Sequence, residues 1–596
     1  MSIIKNGICG TCEWEIDDKN TLTIKSQNGE SGVLCKNNKG DWPWQPYRYG
    51  IRRIVVKRGV KTDKYADRMF FEMEDCTEFD VSELDVSAAK DMSHMFEGCG
   101  LMKNVPALEK WDMSNVTAVS WMFADCRLLT DISALAGWDM SNVTDMQHIF
   151  FGCGSLMDVS ALADWDVSSV TDMSSMFMGC CCITDTSCLK KWDTSNVAEM
   201  RCMFCNCALL TDISPLAGWD ISGVTDMSYM FAGCRSLTDI YPLANWDISG
   251  VADTSGMFKY CDSLTDISPL KEWNMSDVVE MGQMFYDCTN LADISALAEW
   301  NTQKAANMCH MFLGCRSLAD ISPLERWDVS GVTDMSAMFR DCRLLTSISP
   351  LKEWDVSCAT EINNMFYSCV CLTDISALAE WNVSRAVNMH HMFFGCRSLT
   401  DISALADWDV SEATDMECMF ENCGSLTDIS PLEKWDTSSL LYAGYMFSGC
   451  ELLTDISPLL KWNRFGAYDM DGMFRDTGVD YGVLDMFIPM TCPKEGAFVG
   501  YKKCADGKIV ELMVQADAKR SSAYGKKCRC SRAKVLNIWT RNGSKTSCAV
   551  SDFDPGFVYC EGEFVEVLNF DEDRFNECST GIHFFMTRKE AEDYIL

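Results

Sequence analysis

Trp138-Asp-Met-Ser-Asn-Val-Thr-Asp-Met-Gln-His-Ile-Phe-Phe-Gly-Cys-Gly-Ser-Leu-Met-Asp-Val-Ser-Ala-Leu162 belongs to a unit that recurs every 27 residues. Fourteen tryptophans mark the period, from Trp111 to Trp462, without an insertion or deletion across 13 intervals. A fixed period of this length is the signature of a solenoid, so the chain is read by phase, with each Trp as position 0. Val143, Met146, Ile149, Phe150 and Cys153, at +5, +8, +11, +12 and +15, are spaced by threes and fours and predict a short helix. Thr144 then supplies a cap-like hydroxyl, Asp145 a first-turn carboxylate, and Gly152 at +14 the left-handed residue that ends the helix. Asn206, Asn422, Asp125 and Asp287 fill +14 elsewhere, the next-best residues for that conformation.

The second half of each unit, Leu-Thr-Asp-Ile-Ser-x-Leu, predicts a short strand centred on the +21 residue (Ile132 in the first full copy). Seven of the 13 prolines stand at +23 (Pro215, Pro242, Pro269, Pro323, Pro350, Pro431 and Pro458) and would end that strand, because proline cannot donate to a ladder. One short parallel strand and one short helix per copy make an α/β solenoid of about 14–15 coils, curved because helices need more room than strands.

The period also sets the expected boundaries. Residues 1–83 read as a β-rich cap, with strand segments Thr21–Lys25 and Ile54–Val56, and 84–476 as the solenoid. Residues 477–491 form a linker or C-cap, where Thr477 breaks the Cys column. Residues 492–596 read as a small α+β domain, with strands at Lys508–Val514, Ala533–Trp539 and Phe564–Val567 and a closing helix at Lys589–Tyr594.

A net charge of −36 disfavours nonspecific attachment to nucleic acid or anionic membrane. No apolar run is long enough to span a bilayer, and the opening Met1-Ser-Ile-Ile-Lys-Asn-Gly7 has no signal-like apolar core, so the sequence predicts a cytoplasmic chain. Of 34 cysteines, fourteen form a column from Cys99 to Cys450 and read as reduced, packed thiols. The +12 phenylalanines, Phe96 through Phe474, read as core and not as a cofactor box; no cofactor is expected.

The sharpest surface feature is an acidic column at +20: Asp131, Asp158, Asp185, Asp212, Asp239, Asp266, Asp293, Asp320, Asp374, Asp401, Asp428 and Asp455, broken once by Ser347. Like charges one strand spacing apart repel, so local hydrogen bonds, weakly bound divalent cations or a cationic partner must offset them. Positions +10 and +13 vary between copies and form a mixed, partly aromatic stripe. Phe151, Tyr229, Tyr286, Arg340, Tyr367 and Phe394 on it are the candidate protein-binding residues. His583 beside Cys578 is a weak acid–base candidate. Cys492, Cys504, Cys528, Cys530, Cys548, Cys560 and Cys578 contain no C-x2-C pair, so no metal site is expected there. Residues 494–545 hold 13 basic and 4 acidic residues, and the patch at 519–534 would suit nucleic acid or the acidic solenoid.

The repeat Asn-Val-Thr-Asp-Met-Ser-x-Met-Phe-x-Gly-Cys-x-Ser-Leu-Thr, nearly whole at 170–184 and 223–238, resembles the BspA-type leucine-rich repeat, as does the opening Gly10-Thr-Cys-Glu-Trp14 with Leu22-Thr-Ile24. The resemblance covers about residues 8–476 and implies a leucine-rich-repeat stack used in adhesion or protein recognition, often on a cell surface. Residues 518–585 resemble an uncharacterised domain that follows pentapeptide-repeat solenoids. The expected function is a non-enzymatic recognition or adhesion scaffold. The alternatives are an effector or enzyme whose activity lies in 492–596, and an acidic inhibitor that mimics nucleic acid.

Overall fold

A computed structural model describes residues 2–105, 108–462, 470, 472–480, 482–484, 490–522, 526–572, 574 and 579–594. The chain forms two compact units, residues 1–359 and 360–596.

The first unit opens with strands β1 (Ile3–Cys9), β2 (Cys12–Asp17), β3 (Thr21–Ser26), β4 (Gly32–Leu34), β5 (Arg53–Val56), β6 (Val60–Thr62) and β7 (Glu78–Asp80). The main sheet has the order β1-β2-β3-β5-β7, and the expected segments at 21–25 and 54–56 lie in β3 and β5. Its first three strands pair antiparallel, whereas β3, β5 and β7 pair parallel, so the sheet changes from hairpin geometry to coil-on-coil geometry. Trp44 stacks on Phe70 at 6.4 Å and Phe70 on Phe96 at 5.6 Å, joining this region to the phenylalanine column.

Each coil is a solenoid turn with a short helix and a short parallel pairing, but their places in the repeat are exchanged relative to the sequence reading. The stretch expected to be helical is a chain of linked turns. In the coil of Trp138, alternate amides cross to the next coil: Met146 to Asp172 O (3.1 Å), His148 to Ser174 O (2.9 Å), Phe150 to Met176 O (3.0 Å) and Gly152 to Met178 O (2.7 Å). The intervening amides of Ile149, Phe151 and Cys153 close local turns onto Met146, His148 and Phe150. Positive φ at His148 (59°) and Gly152 (70°) marks the third residue of two of these turns as type II. The residues expected to be left-handed at +14 are so: Asp125, Asn206, Asp287 and Asn422 have φ between 54° and 61°. The parallel pairing runs through +7, as in Asp145↔Asp172 and Asp172↔Glu199.

The Leu-Thr-Asp-Ile-Ser segment, expected to be a strand, instead leads into a short 3-10 helix, such as Ser133–Leu135. Prolines at +23, as in Ser214–Gly218, occupy its first positions. There proline's fixed φ suits the helix and its missing N–H costs nothing. Sequence spacing alone does not separate these cases, because stacked turns and a helical face both turn every third or fourth side chain inward.

Trp138 Nε1 donates to Leu108 O, 30 residues back, at 3.0 Å, and Cys126 Sγ donates to Phe96 O in the preceding coil at 3.2 Å. The phenylalanines stack nearly parallel, Phe204 on Phe231 at 5.8 Å and 3°. Burial pushes the thiols of this column up, Cys234 to about 12, so they stay protonated.

The second unit repeats this coil, with Phe366 stacked on Phe393 at 5.8 Å and Trp435 Nε1 donating to Leu405 O at 2.8 Å. Its C-terminal part contains β8 (Phe498–Cys504), β9 (Lys508–Val514), β10 (Arg520–Ser521), β11 (Lys527–Cys530), β12 (Arg532–Trp539), β13 (Cys548–Val550), β14 (Val558–Cys560), β15 (Phe564–Glu566) and β16 (Ile582–Phe585). Seven strands form an antiparallel sheet in the order β10-β11-β16-β8-β9-β12-β15. The three expected strands correspond to β9, β12 and β15. Cys548 and Cys560 form a disulfide across the β13–β14 hairpin. The helix Arg588–Asp593 begins with a capping box made by Thr587 and Glu590.

Candidate functional site

The acidic columns are committed to the backbone. Each of the twelve +20 aspartates accepts a hydrogen bond from the amide two residues on, at 2.6–3.0 Å. Ser347, the break in the column, does the same through its hydroxyl, which accepts from the Ser349 amide at 3.2 Å. Two further columns behave alike: Asp139 at +1 accepts from the Ser141 amide and Asp145 at +7 from the Gln147 amide, both at 3.1 Å. These bonds hold the carboxyls of Asp131, Asp158, Asp266 and Asp455 below their ordinary pKa. Asn274 replaces Asp at +1 and still accepts from the Ser276 amide at 3.2 Å, so the position requires an acceptor and not a charge. Among the described residues, no three His, Cys, Asp or Glu side chains are placed to hold a metal ion.

The +10/+13 stripe has no such common duty, and neighbouring coils combine different side chains on it. Trp121 and His148 stack at 3.9 Å, with Phe151 5.5 Å from Trp121. Tyr229 lies under the Arg201 guanidinium at 5.9 Å. In the second unit, Tyr367 and Phe394 stack at 4.3 Å and 6°.

Tyr286 and Arg340 come together in a cavity of about 430 Å³, lined also by Gln283, Asp287, His310, Leu313, Arg316 and Asp341. Lys259 Nζ lies 4.2 Å from the Tyr286 ring and donates to Gln283 Oε1 at 2.5 Å. Tyr260 meets Tyr286 edge-on at 5.2 Å. Burial dominates the local electrostatics. It raises the Asp287 carboxyl despite the nearby Arg316, lowers the Lys259 ammonium and the His310 imidazole, and pushes Tyr286 to about 12. His310 Nδ1 is buried and has no hydrogen-bond partner. Gly314 makes room for the carboxylate, since a Cβ there would stand 1.9 Å from Asp287 Oδ1.

Sequence reasoning selected Tyr286 and Arg340 by their variability. Lys259, also at +13, and the +16 position of Arg316 were within the variable set but not singled out, and Asp287 and Asp341 were not read as site residues. Both aspartates sit at +14, which the repeat explains as a left-handed position, so their second role as cavity walls was hidden. The usable signal was that Asp, and not Gly, occupies +14 in two of three successive coils, at 287, 314 and 341.

In the C-terminal part, His583 stands on β16 opposite Arg529, and its Nε2 donates to Ser579 O at 3.0 Å. Burial, then Lys527 and Lys502, pushes its pKa down to about 3, which suits a neutral structural imidazole better than an acid–base catalyst near neutrality. Cys578, its expected neighbour, lies outside the described residues. The basic patch is largely spent inside the domain. The Arg520 guanidinium and its Nε donate to the carbonyls of Pro493, Gly496, Gln515, Ala516 and Ala518. Arg529, only 2% exposed, donates to Asp571 O, Thr580 O and Ser521 Oγ.

Overlapping matches to the family described as "Mycoplasma protein of unknown function, DUF285" cover residues 64–481. The chain belongs to this family. Residues 488–591 match a second model, "Family of unknown function (DUF5758)". A comparison with curated proteins finds no match. Among solved structures, the chain is similar to a leucine-rich repeat protein from Eubacterium ventriosum at 14% identity, covering 80% of this chain and 96% of that one, with a TM-score of 0.27. It is also similar to a leucine rich cell surface protein from Faecalibacterium prausnitzii at 17% identity, covering 48% of this chain and 93% of that one, with a TM-score of 0.21. No helix among the described residues is long and apolar enough to cross a membrane.

Proposed function

We propose that this protein is a non-enzymatic recognition scaffold whose +10/+13 stripe, centred on Tyr286 and Arg340, receives a protein partner. One observation carries the reading: the cavity lined by Tyr286, Asp287, His310, Arg316 and Arg340 is built from positions that differ between coils, on a frame whose acidic columns are tied to its own backbone. A partly buried site that holds aromatic and guanidinium groups together has the composition of interface anchor points. In this reading residues 1–83 cap the stack, 84–476 present the stripe, 477–491 connect, and 492–596 form an accessory domain.

The test is capture of partners by the full chain and by variants. Tyr286→Ala and Arg340→Ala each weaken binding at least ~10-fold, the effect of losing an anchor residue, and Tyr367→Ala weakens it less. Undiminished capture by all three removes the stripe from consideration.

A further inference from the structure

One coil carries two thiols on the variable stripe, in Arg201-Cys-Met-Phe-Cys205. The Cys205 amide donates to Cys202 O at 3.0 Å, closing a four-residue turn, and the Cys202 amide crosses to Ser228 O at 2.8 Å. The end residues of such a turn lie within about 7 Å, a span that overlaps the Cα separations of disulfides. Met203 and Phe204, between them, are fully buried rungs of the core, so the turn is clamped from beneath. The turn brings the two side chains into each other's electrostatic reach; Cys202 is half-buried and Cys205 is 8% exposed. The neighbouring Cys205 thiol, helped by the Arg201 guanidinium, holds the Cys202 thiol below its ordinary pKa, while Cys205 is pushed up.

Spacing alone does not create this arrangement. Cys9 and Cys12 have the same separation, but they face each other across the β1–β2 hairpin, and burial pushes them to about 12 and about 11. Cys207, two residues beyond the pair, is fully buried and donates to Phe177 O at 3.2 Å.

We propose that Cys202 and Cys205 form a thiol–disulfide exchange site on the recognition stripe, which takes small-molecule disulfides and closes to an intramolecular disulfide. The Cys202 thiolate attacks one sulfur of the incoming disulfide, forming a mixed disulfide and releasing one thiolate. Cys205 then attacks Cys202 Sγ, and its proton goes to the second departing thiolate. The dithiol loses two electrons, and the incoming disulfide gains them as two thiols.

The test uses the full reduced chain with substoichiometric glutathione disulfide near neutral pH, then alkylation and sequencing of the tryptic peptide 202–235 by mass spectrometry. The 202–205 bond is expected at least ~10-fold faster than any modification of Cys9, Cys12, Cys35 or Cys181, as lowered thiol pKa and a preplaced resolving thiol dictate. Cys205→Ser traps glutathione on Cys202, and Cys202→Ser leaves Cys205 unmodified. Mapping of the wild-type chain decides the matter independently of how the variants fold. Faster reaction at exposed Cys35 or Cys181 without 202–205 closure overturns the proposal, as does a Cys205→Ser variant that stays unmodified.

Discussion

The coils and the C-terminal sheet both spend charged side chains on backbone groups, and they do so in opposite ways. In the coils, carboxylates accept amide protons at the tight turns, one short local bond per residue, repeated with the period. In the C-terminal sheet, one guanidinium donates to several acceptors at once, and Arg529 alone ties Asp571, Thr580 and Ser521 together across the sequence. Losing a coil carboxylate frees one amide that water can reach. Losing Arg529 strands the buried Ser521 hydroxyl and two part-buried carbonyls at once, a cost set by desolvation. Charge is therefore cheap to change in the repeat and expensive to change in the terminal domain.

Arg529→Met puts the strongest pressure on this contrast. It is expected to destabilise the C-terminal sheet by about 3 kcal/mol, since a buried acceptor left unpaired costs about 1–3 kcal/mol and two part-buried carbonyls lose their donor with it. Hydrogen exchange of peptides in β11 and β16 reads the loss, and coil peptides are expected not to change. A loss below about 1 kcal/mol would erase the distinction.

The pH dependence of the two regions sharpens it further. The folded His583 pKa, about 3, lies below the ordinary value. The folded domain thus binds fewer protons than the unfolded one, and this stability is complete above pH ~6.5. It falls by up to ~1.4 kcal/mol per unit as pH drops from there toward 3. The depressed carboxyls of Asp131, Asp158, Asp266 and Asp455 contribute stability present above their unfolded pKa, about 3.9, and lost only as pH falls through their folded values. Between pH 6.5 and 4.5, then, exchange protection drops in the C-terminal sheet and holds in coils without a buried histidine, whereas the coils of His148 and His310, lowered in the same sense, share the loss. His583→Asn is expected to flatten the slope in the sheet.

Single rungs give the smallest effects. Asp320→Ala removes the acceptor for the Ser322 amide and is expected to cost about 1 kcal/mol, as loss of a cap does. Asp320→Asn keeps the acceptor and is expected to cost less. Equal losses for the two variants, measured by denaturant unfolding, would show that charge and not acceptance matters at +20. Ser347→Asp restores the column and is expected to add a few tenths of a kcal/mol, about the difference between two competent caps.

Much of this architecture was legible. The 27-residue period gave the stack, the +12 and +15 columns gave the core, and Asn or Asp replacing Gly at +14 marked the left-handed residue. The placement of helix and strand was not legible. Met146, Ile149, Phe150 and Cys153 face inward at helical spacing, yet the Phe150 amide finds Met176 O in the next coil. The stripe could be found as variable positions, whereas its cavity could not, because Tyr286, His310 and Arg340 come from three different coils. The thiol pair was equally hidden: Cys9-x-x-Cys12 and Cys202-x-x-Cys205 share one spacing, and hairpin against coil turn, burial and the Arg201 neighbour separate them.

By itself the sequence determined which columns are core, that the +14 turn residue takes positive φ, and where the repeat leaves side chains free to differ. Those are properties of one coil, set by local sterics and by the periodic burial of apolar groups. The tertiary structure decided which carbonyl each amide reaches, that the short helix is a 3-10 turn whose early positions admit the +23 proline, and which free positions meet. Those depend on the neighbouring coil 27 residues away, whose approach no local pattern of apolar spacing records.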